Sequence, residues 1–243
     1  MENNNTISTE NGNLNSLSKI AGIFFYPGKL IKDISRNPVW LLPFILLFSV
    51  SVINKVLVHD IVMTERVEAV QNKTDFSQER KESLIQGIHR VDTPVKRYIS
   101  FGLTPIELIL TLLIISSVLY YTGNKFLGKE VAFPRLFSLV TFSSLIIIPE
   151  SLITTPLILL KESSNFRIGI NLLFSEPPQN SIFYGILYGI NIFGLWQLII
   201  VSYGLKVFYK SNFVKTIMLT GLWWIVYLAG KEIIQQYLQS LGL

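Results

Sequence analysis

Two carboxylates lie inside stretches that are otherwise free of charge, Glu107 within residues 98–124 and Glu150 within residues 136–160. An ionisable side chain among apolar neighbours must reach water, a partner or a protein cavity, and such groups often mark ion, proton or substrate sites in membrane helices. Glu107 is only a few residues from the end of the span expected from Pro105, where it can simply emerge into water. Glu150 follows Pro149, which has no N–H for the backbone ladder and leaves carbonyl acceptors for a water or a side chain. Counted back from Leu160 at roughly 1.5 Å per residue, Glu150 is about 15 Å deep, and Asn191 in the next run reaches nearly the same depth. With Lys55 and His59 these residues can form a polar cavity, an ion or substrate site in which Glu150 takes up a proton. The structural alternative is interhelical hydrogen-bond glue, with Glu150 neutral or paired.

Other chemistries find little to work with. The chain has no cysteine, which excludes disulfides, thiolate zinc sites and a cysteine nucleophile. Its two histidines, His59 and His89, are too few for a histidine-based metal centre, and neither belongs to an HExxH arrangement. A Gly-rich phosphate loop, a G-x-S-x-G elbow and a paired acidic motif are all missing. The expectation is therefore no catalytic residue, no metal and no cofactor. Trp40 suits an interfacial anchor, while Trp196, Trp223 and Trp224 fall within apolar runs and suit helix packing, with no porphyrin or flavin motif beside them.

The elements that position these residues are five runs long enough to be membrane spans. Half of the 243 residues are hydrophobic and only 15% are charged, and residues 37–54, 177–205 and 216–230 carry no charge at all. A hydrocarbon core of about 30 Å asks for roughly 20 mostly apolar residues in a helix. Soluble helices of that length would need charged outer stripes, which the runs lack. The spans are expected near residues 39–57, 105–121, 136–160, 182–202 and 214–229, the third interrupted by Pro149, Glu150 and Pro156. Gly185 and Gly189 in the fourth are four apart and permit close helix approach or self-association.

Around the spans, residues 1–19 read as a flexible polar tail, 20–235 as one membrane domain and 236–243 as a C-terminal tail. Ile20, Phe24, Pro27, Leu30, Ile31 and Ile34 recur at helical spacing, with Lys29, Lys32 and Arg36 facing elsewhere. This suits a helix in the interface plane or one packed on the bundle. The polar loop 58–100 reads as two short amphipathic helices with an interruption at 72–77 and a break at Pro94, together a cap on the bundle. The formal charge of +5 has no compact basic stripe of the kind that reads nucleic acid, and fits orientation and anionic lipid instead. Basic residues before span 1 and after spans 2 and 4 favour a cytosolic N-terminus and an extracytoplasmic C-terminus, against the counterweight of Lys55, Lys96 and Arg97.

The order FFYPGKLIKDISRNPVWLLP, PESLITTPLILL, NIFGLWQLIIVSYGLK within five spans resembles the Yip1 domain family of integral membrane proteins, particularly its bacterial members. The resemblance rests on Pro27, Asn37-Pro38 and Trp40, on Pro149 and Pro156, and on Phe193, Trp196, Gly204 and Leu205 in that order. It implies an all-α polytopic bundle of five transmembrane helices in the cell membrane, N-terminus in the cytosol. Eukaryotic relatives are associated with vesicle traffic and Rab-type GTPases. The long first loop and the lack of an extended cytosolic region make Rab binding unsafe to carry over. The leading expectation is an adaptor or organiser in trafficking, secretion or envelope organisation. Its partners would be membrane lipids, membrane or cytosolic proteins and further copies of itself, with Lys29, Lys32 and Arg36 as a cytosolic interface. The alternative is a small-solute or ion permeation protein using the layer around Glu150.

Overall fold

Asn15 opens the first helix, its side-chain oxygen accepting from the Ser18 N–H at 2.8 Å and satisfying one free donor of the first turn. Helices α1 (Ser16–Phe25) and α2 (Pro27–Arg36) are divided at Tyr26, and Pro27, with no N–H to lose, starts the second. The computed structural model describes residues 15–164, 186–187 and 189–241. Its further helices are α3 (Leu41–Gln71), α4 (Gln78–Val91), α5 (Pro94–Phe126), α6 (Phe133–Ser143), α7 (Ile147–Lys161), α8 (Ile192–Tyr209) and α9 (Phe213–Leu241). A 3₁₀ turn, Ser144–Ile146, joins α6 to α7. Leu41–Gln71, Pro94–Phe126, Phe133–Lys161, Ile192–Tyr209 and Phe213–Ile234 are long and apolar enough to cross a membrane. The chain is an all-α, multi-pass membrane bundle.

The third span is its axis. In its most apolar stretch 61% of the residues are buried, against 11% in the first span and 17% in the fifth, so the outer helices give most of their surface to lipid. Every residue of α6 from Leu136 to Ser143 is buried. A Cβ on Gly204 would come within 2.4 Å of both Leu139 δ-carbons, so the missing side chain lets α8 approach α6 closely. Ser138 donates to the Val39 carbonyl at 2.5 Å, and Tyr209 donates to Asn124 Oδ1 at 2.8 Å, tying the same ends of several spans together.

Of the two placements open to the N-terminal segment, the packed one is found. Ile23, Leu30, Ile31 and Ile34 have no exposed surface and join the core with α6 and α8. The first helix also begins at Ser16, inside the expected tail, because Asn15 caps it and Lys19 is buried against Asp33 at 2.9 Å. At the other end α9 continues through the expected C-terminal tail to Leu241.

The interruption of the third span lies just before Pro149. Proline cannot donate to the carbonyl four residues back and crowds it, and the backbone tightens to 3₁₀ over Ser144–Ile146. The hydroxyls of Ser143 and Ser144 each donate to the Val140 carbonyl at 2.9 Å. Pro156 sits within α7 without ending it.

The loop 58–100 differs from the expected pair of short helices. Nothing between Leu57 and Gln71 breaks a helix, so α3 runs on for 31 residues, about 46 Å at 1.5 Å per residue and longer than a hydrocarbon core of about 30 Å. The chain turns at residues 72–77, α4 starts under a Ser77 cap, and Thr93-Pro94 starts α5, which continues into the second span. The result is a helical hairpin that extends the first two spans. Pro105 consequently lies inside α5 and does not begin it.

Candidate intramembrane polar site

Asn191 ends an irregular step in the fourth span. Ile190 is non-helical, and Asn191 takes an extended backbone and caps α8 by accepting from the Gly194 N–H at 2.7 Å. Its other side-chain group, Nδ2, donates to Glu150 Oε1 at 3.3 Å. Glu150 is half-buried in the first turn of α7, and Asn191 is buried. The two residues singled out for equal depth thus meet, but Asn191 is a helix cap where an unbroken helix from residue 182 was expected. The helix starts there because Asn191 supplies the acceptor that its first turn needs. Residues 165–185, which hold Gly185 and most of the connector, lie outside the described residues. Gly189 faces α9, where a Cβ would meet Leu228 at 2.6 Å.

A series of polar contacts runs along the third span. Gln197 donates to Ser144 at 3.2 Å, next to the 3₁₀ turn. Next to Glu150 and one turn beyond it, Asn54 of α3 donates to Ser151 at 2.5 Å and accepts from Thr155 at 2.9 Å. At the end of α7, Glu65 accepts from Ser163 at 2.9 Å and from the Ser164 N–H at 2.8 Å, and it is also bonded by the Ser164 hydroxyl. Hydrogen bonds between helices in lipid stabilise by about 0.6 to 2 kcal/mol each. Asn54, Ser151 and Thr155 were not anticipated. The sequence signal was present: Ser151 and Thr155 are four apart and share a helix face, and Asn54 adjoins Lys55 at the end of a charge-free run.

Lys55 and His59 do not join this layer. Lys55 pairs with Glu107 at 2.6 Å, both well exposed, so the two charges satisfy each other across α3 and α5. His59 bonds Asp92 at 2.7 Å and meets the Phe101 ring edge-on at 5.7 Å. The expected single cavity is therefore three separate sets, because one turn of α3 carries Asn54 toward α7 while Lys55 and His59 face α5 and the α4–α5 turn.

Asp92 is the centre of the set at the α4–α5 turn. Arg97 grips its carboxylate with two bonds of 2.7 and 2.8 Å and reaches Asp60 at 2.9 Å. These bonds from Arg97, with a smaller contribution from His59, hold the Asp92 carboxyl down at about 2 although burial pushes the other way. Beside it lies an open cleft of about 460 Å³ lined by Met63, Val67, Ile88 and His89 among others. Among the described residues no group of three or more His, Asp or Glu is placed to hold a metal ion. On the opposite end, Lys29, Lys32 and Arg36 are all exposed on α2.

A family model described as the Yip1 domain matches residues 21–230. The chain belongs to the Yip1 domain family. No curated protein and no solved structure matches it. The matched Yip1 domain takes in the first four spans and most of the fifth, the Glu150–Asn191 contact and the basic face of α2.

Proposed function

We propose that this Yip1-domain protein is a non-enzymatic organiser or adaptor of the cell membrane, acting through lateral association of its spans and through the basic elements at one end. The observation that carries this reading is the uneven burial of the spans. The first and fifth bury 11% and 17% of their most apolar stretches, leaving broad helical faces for neighbours in the bilayer, whether further copies or other membrane proteins.

In this reading the N-terminus lies in the cytosol and the C-terminus outside, a choice supported by the distribution of basic residues. Residues 15–40, 124–135 and 206–215 lie at one end of the bundle and hold ten lysines and arginines against two carboxylates. The hairpin at the other end, residues 55–107, holds eight of each. A bacterial-type member fits the opening phrase around Pro27, Asn37-Pro38 and Trp40 and the long outer loop. Isolation in native-lipid particles, with particle mass and protein content measured, tests the organiser reading. Reproducible homomeric or heteromeric assemblies are expected, and a solitary monomer in every preparation overturns it.

A second reading, permeation of a small solute or ion, draws on the break at Asn191 beside Glu150, because interrupted spans at such depth expose polar groups to a passing ligand. Glu150→Gln in reconstituted protein separates the two. Flux or binding that loses its pH dependence favours permeation, and folded protein with unchanged behaviour assigns Glu150 to helix packing.

A further inference from the structure

We propose that the α1–α2 hairpin together with α8 forms a headgroup site for anionic phospholipid of the inner leaflet, with Lys29, Lys32 and Lys206 as its cations. This deepens the partner side of the organiser reading and uses its inner placement of the hairpin. The site itself is built from contacts that do not depend on orientation.

The cations are gathered from distant parts of the chain. On α2, Leu30, Ile31 and Ile34 are buried, and Lys29, Lys32 and Arg36, at i, i+3 and i+7, share the exposed side. Helices α2 and α8 pack together, and the Tyr203 ring lies against Gly28, where a Cβ would be in ordinary contact with its hydroxyl at 3.4 Å. Lys206 stands over the Tyr203 ring at 5.8 Å, and Lys29 stands over the Tyr26 ring at 5.5 Å. The contact at Gly28 therefore brings the lysine–tyrosine pair of α8 to the same part of the molecule as the lysine–tyrosine pair of the hairpin.

Carboxylates hardly compete at this place. Asp33, the one acidic residue from 15 to 40, is held by Lys19 at 2.9 Å with both side chains 10% exposed, and residues 191–215 contain no Asp or Glu. Glu130, on the α5–α6 turn, is the other carboxylate at this end among the described residues, between Lys129 and Arg135. The excess positive charge thus faces outward and calls for an anion.

The neighbouring apolar surface selects the kind of anion. Leu17, Phe25 and Tyr26 are 78%, 73% and 64% exposed on the same hairpin. An acidic protein arriving from water gives these side chains no reason to be bare. A leaflet does, because aromatic rings settle at the headgroup level while adjacent lysines meet the phosphates.

The test uses the purified full chain and native mass spectrometry with phosphatidylglycerol or phosphatidylcholine as the added lipid. The wild type is expected to retain phosphatidylglycerol preferentially. A Lys29→Gln/Lys32→Gln/Lys206→Gln variant should bind it about a hundredfold more weakly, at about fivefold per lysine. The charge-matched Lys125→Gln/Lys129→Gln/Lys215→Gln variant should lose much less. Equal loss in the two variants, no preference in the wild type, or full displacement by millimolar inorganic phosphate overturns the site. Retained lipid preference with loss of a copurifying acidic protein also overturns it, in favour of a protein ligand. Because the chain has no cysteine, Phe25→Cys takes a single polarity-sensitive dye. Its emission should shift to the blue in phosphatidylglycerol vesicles relative to detergent-free phosphatidylcholine vesicles, and an unchanged spectrum refutes the insertion even if a lysine variant fails to fold. Altered lipid preference with unchanged assembly mass separates this site from the organiser reading itself.

Discussion

The two ends of the bundle are held together by different physics. At the end that holds the N-terminal hairpin, α1, α2, α6 and the last turns of α8 interlock through Ile23, Leu30, Ile31, Leu139 and Leu205, none with any exposed surface. At the end that holds the α3–α5 hairpin, α3, α4 and α5 meet through Lys55–Glu107, His59–Asp92 and Arg97–Asp60, and α4 has no buried residue at all. Packing makes the first end a fixed platform that presents lysines. Charge pairing makes the second end a hairpin sensitive to its solution. The Glu150–Asn191 and Asn54–Thr155 contacts lie between them, where polar groups bind helix to helix away from water.

The strongest way to break the contrast is to open the inner core. Leu139→Ala removes a fully buried side chain against which Gly204 packs, and should cost about 2 to 5 kcal/mol, read as a fall in the detergent melting temperature. A smaller effect is expected midway. Asn54→Leu removes both bonds to α7 and should cost about 1 to 3 kcal/mol, seen as faster hydrogen exchange in α7 before global unfolding.

At the α3–α5 end the decisive variable is pH. A carboxyl depressed to about 2 stabilises the folded hairpin fully above the ordinary carboxylate range, and that contribution is lost as pH falls from about 5 toward 2. Hydrogen exchange in α4 should rise over this window, and Asp92→Asn should abolish the dependence while leaving α1 and α2 unchanged. The least effect belongs to the exposed pair. Lys55→Met should change stability by no more than about 1 kcal/mol in a thermal melt, because both partners are largely open to their surroundings. A large loss there would show that the α3–α5 end depends on single ion pairs rather than on the Asp92 cluster.

Much of the fold was legible in one dimension because charge is costly in lipid. The charge-poor runs located all five spans, and Pro27, Pro94 and the 72–77 interruption located helix starts and a turn. Helix extent was less legible. Polarity between Val58 and Gln71 was taken for a new element, although only the environment changes there and the backbone continues. The candidate site was half legible. Depth counting pairs Glu150 with Asn191, but depth says nothing about azimuth, so it does not find Asn54 and groups Lys55 and His59 with a layer whose residues they do not touch.

By itself the sequence determined that this chain crosses a membrane, where the five long apolar helices of the described residues lie, and which end is strongly basic. These are properties of local composition, set by the cost of moving charge and unpaired backbone into hydrocarbon. Tertiary structure alone decided that α1 and α2 fold into the bundle, that Asn191 caps a helix while touching Glu150, and that Tyr203 of α8 meets α2 at Gly28. Each depends on how helices rotate and approach one another, which contacts such as Gly204 against Leu139 settle through close packing across long sequence separations.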